Sequence, residues 1–129
     1  MTTIEPQLWT DQAAAAVSFY EAAFGAVVLH RVGAGDDIVA QLAVGDARFW
    51  VTAANPSMNR FDLKQIAGAT GRTLLVADDP RALQVRAVAA GATELAPVTD
   101  EHGWVLGRII DPFGHEWELG RPLGEWPPS

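Results

Sequence analysis

The chain has 129 residues, no cysteine, and 16 acidic against 9 basic side chains, for a formal net charge of −7. That length holds one domain with a core of its own. Without cysteine, disulfide scaffolds, thiolate metal sites and cysteine nucleophiles are excluded, and the acidic balance makes nucleic acid and anionic membrane poor partners. The charge reads either as ordinary solubility charge or as a field that favours a cationic small molecule. The N-terminus has no basic segment leading into an apolar stretch, and no run approaches the ~18 apolar residues of a spanning helix. A soluble cytoplasmic protein is therefore expected.

In chain order, Ile4 to Trp9 alternates as a strand, with Pro6 marking an edge or a start. Thr10 or Asp11 is placed to cap a helix from Ala13 to Phe24, whose Ala16, Val17, Tyr20 and Phe24 form an apolar stripe and whose Gly25 suits the position after the last turn. Strands follow at Val27 to Val32, Ile38 to Val44 and Ala47 to Ala53, joined by turns at 33–37 and at Gly45-Asp46. The segment 55–71 changes character and reads as a linker or lid, with a short helix around Phe61 to Ile66. The order then repeats. Strand Thr73 to Ala77 leads to Asp79 as a cap with Pro80 at the first helical position, then helix Arg81 to Ala90, a stop at Gly91, and strand Thr93 to Val98. A loop, Thr99 to Gly103, precedes strand Trp104 to Ile110. The tail 121–129 is too rich in proline to be regular.

After that strand comes Asp111-Pro112-Phe113-Gly114-His115-Glu116-Trp117-Glu118-Leu119, a turn followed by a last strand. Alternation puts His115, Trp117 and Leu119 on one face and the carboxylates Glu116 and Glu118 on the other. One offset of 66 residues, the separation of Gly25 from Gly91, also carries Gly45-Asp46 onto Asp111-Pro112, Leu8 onto Leu74, Gln7 onto Thr73, Trp50 onto Glu116 and Thr52 onto Glu118. The chain thus reads as an internal repeat, module 1 at about 4–54 and module 2 at about 72–120, with linker 55–71 between them.

Two βαβββ modules, with Phe19-Tyr20-Glu21-Ala22-Ala23-Phe24-Gly25-Ala26 closing the first helix and Asp111-Pro112-Phe113-Gly114-His115-Glu116-Trp117 opening the last strand, resemble the vicinal oxygen chelate superfamily of glyoxalases, bleomycin-resistance proteins and extradiol dioxygenases. The resemblance implies an α+β fold in which tandem βαβββ modules form curled mixed sheets around a cavity, and a homodimer. Enzymes of that superfamily hold a divalent ion with His, Gln or Glu side chains from the first and last strands of each module. Glu118 stands at the last-strand position, its counterpart by the offset is Thr52, the first strand of module 1 offers only Gln7 or Glu5, and that of module 2 offers Gly71, Arg72 or Thr73. No metal or other cofactor is therefore expected. If a metal binds, Glu118 with Gln7 or Glu5 is the set, and the chain would be a lyase, isomerase or dioxygenase. Glu118 reads alternatively as a charge open to water or paired with Arg48 or Arg108.

The candidate ligand-binding residues are Gln7, Trp9, Trp50, Thr52, Thr73, His102, Trp104, Glu116 and Glu118. Trp50 shares its face with Thr52, and Trp9 shares its face with Gln7, so a concave face there would offer two indoles beside carboxylates. His102 lies in the loop before Trp104, at a cavity mouth or simply in solvent. His115 is expected to be structural. The leading expectation is a cavity for a hydrophobic or aromatic small molecule, with cationic ones among the candidates, and sequestration of the kind seen in bleomycin resistance.

Overall fold

The computed structural model describes residues 1–129 and contains the two modules. In the first, strand β1 (Gln7–Thr10) and helix α1 (Ala13–Phe24) precede β2 (Val27–Ala34), β3 (Asp37–Val44) and β4 (Ala47–Ala53). A single 3₁₀ turn (Pro56–Met58) and helix α2 (Leu63–Ile66) form the linker. The second module repeats the order with β5 (Arg72–Val76), α3 (Pro80–Ala90), β6 (Thr93–Glu101), β7 (Trp104–Ile110) and β8 (Glu116–Pro122). Each module is one four-stranded sheet, ordered β1-β4-β3-β2 and β5-β8-β7-β6. First and last strands run parallel, and the other pairs are antiparallel.

Local chemistry places the boundaries. α1 ends because Gly25 takes φ 67°, where its amide reaches the Glu21 carbonyl and a side chain would be strained. α3 begins because Asp79 accepts from the Ala82 amide at 3.1 Å and Pro80 gives up no useful donor at the first position. Three expectations need correction. β1 starts at Gln7 rather than Ile4, since Pro6 has no N–H for the ladder, although its carbonyl still accepts from Trp50 N at 2.8 Å. α1 has Gln12 at its N-cap with no side-chain cap, and Thr10 Oγ1 accepts only from the Gln12 amide. β6 runs on to Glu101, because register shifts between Glu94 and Thr99 absorb Pro97, leaving only His102-Gly103 as the turn.

The helices cover one face of each sheet. Leu8, Ile38, Leu42 and Val51 point under α1, and Leu75, Ile109, Trp117 and Leu119 lie on the corresponding face of the second sheet, all buried. At the centre Trp117 meets Phe24, Tyr20 and Phe49 at ring separations of 4.9, 5.5 and 5.6 Å. Asp111 is the polar hub of this core. Its carboxylate accepts from the Tyr20 hydroxyl, from Trp117 Nε1 at 3.0 Å, and from the amides of Phe113 and His115 at 2.9 and 3.0 Å. The helix-end and last-strand motifs therefore meet in one buried hydrogen-bonded cluster. No helix is long and apolar enough to cross a membrane.

Candidate functional site

Most of the candidate residues lie on the face of each sheet turned away from the helices. In the first module, strand pairing sets Gln7 beside Trp50, Trp9 beside Thr52, Gln41 beside Trp50 and Val39 beside Thr52, so these side chains share one face. Glu5, just before β1, is tied into it. Its Oε1 accepts from Gln41 Nε2 at 2.8 Å and from Trp50 Nε1 at 3.0 Å, and its Oε2 accepts from Thr3. These bonds, that of Gln41 first, hold the Glu5 carboxyl below its ordinary range. The indole of Trp50 is thus fixed by its polar edge, leaving ring surface half-exposed beside half-exposed Trp9.

The second module presents charge on the same side. Arg108 Nε donates to Glu118 Oε2 at 3.1 Å, Arg108 Nη2 reaches Glu101 Oε1 at 3.3 Å, and Arg72 stands 4.0 Å from the other Glu118 oxygen. Glu101 above all, with Glu118, holds the Arg108 guanidinium above its ordinary range. Farther along this face Trp104 meets Trp126 of the tail edge-on at 5.3 Å.

Between the modules the edges of β1 and β5 face each other across a cleft of about 410 Å³. Gln7, Trp9, Arg72 and Glu116 line it, and the linker's Phe61 and Ile66 form its wall. His115 crosses the seam, with Nε2 3.2 Å from the Trp9 carbonyl oxygen. The linker is pinned at its start by Asp62, which caps α2 through the Lys64 amide at 3.0 Å and accepts from Asp11 N at 3.4 Å.

Of the nine candidates, Gln7, Trp9, Trp50 and Thr52 come together, and Glu116 joins Gln7 and Trp9 in the cleft. Glu118 lies on the corresponding face of the second sheet, ion-paired. Thr73 also lines the cleft with Gln7 and Trp9, but from the core-facing side of β5. It pairs with Trp117, on the face opposite Glu118, while Leu74 pairs with Glu118. Holding Thr52 on Glu118 at 66, the first-strand offset is 65, from Trp9 to Leu74, because Leu8 faces the core and Leu74 does not. A slip of one residue turns every side chain of a strand to the other face. His102 sits exposed in a tight turn at φ 50°, and neither it nor Trp104 lines the cleft. Gln41 and Phe61 were not among the candidates. Gln41 alternates against buried Ile38, Ala40 and Leu42, a period that marks it as facing away from the helix.

The glyoxalase-like domain family matches residues 3–120. The chain belongs to this family, within the vicinal oxygen chelate superfamily. An uncharacterized protein of Mycobacterium bovis is 35% identical over 135 residues, covering 95% of this chain and 84% of its own length. Among solved structures, a gene product of Arabidopsis thaliana is 28% identical, with a TM-score of 0.74 over 94% of this chain and 99% of its own. A bleomycin-binding protein in complex with bleomycin (18% identical, TM-score 0.67, 94% and 98% covered) shares the fold. So does a fosfomycin resistance protein of Listeria monocytogenes complexed with Mn(II) (12%, TM-score 0.72, 98% and 93%).

The superfamily's divalent ion does not fit the residues present. On the inward faces of the first and last strands, the paired positions are Gln7 with Trp50, Trp9 with Thr52, Arg72 with Glu116 and Leu74 with Glu118. Of these, Glu116 and Glu118 are the carboxylates and Gln7 a weak amide ligand; Arg108 and Arg72 already neutralise Glu118, and Arg72 stands opposite Glu116. Glu5 is engaged by three donors, and no three His, Asp or Glu side chains converge anywhere in the chain.

Proposed function

We propose that this vicinal oxygen chelate protein binds an aromatic small molecule without a metal, on the concave face of its first module, and sequesters it. The observation that carries the reading is the placement of Trp9, Trp50, Gln7, Gln41 and Thr52 on one face, with the Trp50 indole braced by Glu5. Half-exposed indoles supply stacking area, and the two amides and the hydroxyl supply hydrogen bonds for orientation. The cleft beside Trp9, walled by Phe61 and Ile66, extends that apolar surface under the linker. Glu118 is paired with Arg108, and Glu5 keeps its charge but turns its oxygens to the neutral donors Thr3, Gln41 and Trp50, so ring stacking is the main source of affinity on this face and charge a smaller, longer-range one. The bleomycin-binding neighbour makes bleomycin a reasonable first probe, alongside simpler fused-ring aromatics.

Equilibrium titrations of the wild-type chain, Trp9→Ala and Trp50→Ala with that panel test the proposal. Each substitution removes a stacking surface worth about 1 kcal/mol or more, so affinity should fall at least about fivefold. Undiminished binding by both variants would remove the concave face from consideration.

A further inference from the structure

A second cavity, of about 520 Å³, is larger than the cleft under the linker and meets it only at Thr73, and meets the inward sheet faces at Glu5 and Leu74. It lies between the N-terminal segment and β5. Phe49, Trp117, Leu75 and Thr73 all point to the helix-covered side of their sheets and line it, so it penetrates the seam from the side opposite Trp9 and Trp50. Val44 and Ala47 complete the apolar wall, and Glu5, Asp46 and Arg48 stand at its mouth.

Size and lining fit a small-molecule site. Its floor is the rim of the aromatic core, where Phe49 and Trp117 meet at 5.6 Å, and Trp117 is held in place by Asp111. The charged groups do not cancel. Asp46 and Arg48 take part in no ion pair, and the Glu5 carboxylate is bonded only to neutral donors, leaving two carboxylates against one guanidinium. Over the whole chain the charge is −7. The Thr73 hydroxyl, half-buried in the wall, makes no protein hydrogen bond and is free to accept or donate.

We infer that this cavity is a second binding site, for a hydrophobic amine whose aromatic or aliphatic body rests on Phe49 and Trp117 and whose ammonium group sits at the mouth near Asp46 and Glu5. The attraction at the mouth is exposed and therefore salt-dependent, while the apolar body supplies most of the affinity.

The probe is naphthylmethylamine, titrated calorimetrically into the full chain beside naphthalenemethanol and naphthylacetate. The amine should bind tightest and the carboxylate weakest, with Asp46→Asn narrowing the gap between amine and alcohol about two- to fivefold. Ala47→Phe fills the cavity and should abolish binding of all three. Thr73→Leu, which intrudes from the opposite wall, is the second blocking variant, and a thermal melt of each establishes that it is folded. Trp9→Ala, which removes a stacking surface of the concave face without touching any residue that lines this cavity, should leave amine binding in place. Amine binding that survives both blocking variants, that disappears in Trp9→Ala instead, or that is matched by the carboxylate overturns the inference, as does absence of amine binding.

Discussion

Tyr20 is the only tyrosine of the chain, and burial first, then the adjacent Asp111 charge, push its ionisation well above the ordinary tyrosine range. The folded state therefore keeps the phenol protonated where the unfolded chain would release it. Its contribution to stability is complete below the unfolded pKa of about 10 and is lost as pH rises through the raised folded value. Urea midpoints should be flat with respect to this group up to about pH 10 and fall above it. Tyrosinate absorbance should then appear together with unfolding rather than before it. Tyr20→Phe should cost about 1–3 kcal/mol at neutral pH, because it strips a donor from a buried carboxylate, and should flatten the alkaline fall. Glu118 provides a second test at this scale. Chelator-treated protein titrated with Ni²⁺, Zn²⁺, Mn²⁺ and Fe²⁺ should show no stoichiometric binding that depends on Glu118, whereas tight binding abolished by Glu118→Ala would restore the metal reading.

Among the elements, the helices were readable because their signals are local. Gly25, Asp79, Pro80 and Gly91 act on the turn they adjoin, and Asp79→Ala should cost about 1 kcal/mol in denaturant unfolding by exposing the Ala82 amide. The hairpin turn Gly45-Asp46 was legible for the same reason. First-strand register was not. β1 is only four residues long, and the pair Leu8 and Leu74 look equivalent as letters although one faces the core and the other does not. That single slip put Thr73 on the face that Arg72 takes; both line the cleft, and Arg72 is the one that approaches Glu118. Asp111 was read as a turn residue, and its link to Tyr20, 91 residues away, depends on packing that no local pattern encodes.

Across the whole molecule, the repeat offset and alternation set Trp50 on the face of Thr52 and Trp9 on that of Gln7, but the brace that holds Trp50 and the ion network around Glu118 exist only once the strands are paired. Both inward faces carry exposed aliphatic side chains: Val32 and Val39 on the first, Leu74 and Val76 on the second. We propose that a second copy covers them. Light scattering should then report a dimer, and Val32→Asp combined with Val76→Asp should yield folded monomer. A wild-type monomer at all concentrations would count against that assembly.

The five indole N–H resonances offer the most direct test of the central claim, that Trp9 and Trp50 form the ligand face. In a two-dimensional ¹⁵N correlation spectrum, each is assigned by single Trp→Phe substitution, and bleomycin or a neutral fused-ring aromatic is then titrated in. Saturable shifts should fall on Trp9 and Trp50, with Trp104 and Trp126 unmoved. Saturable shifts confined to Trp104 and Trp126, with Trp9 and Trp50 silent, would contradict it.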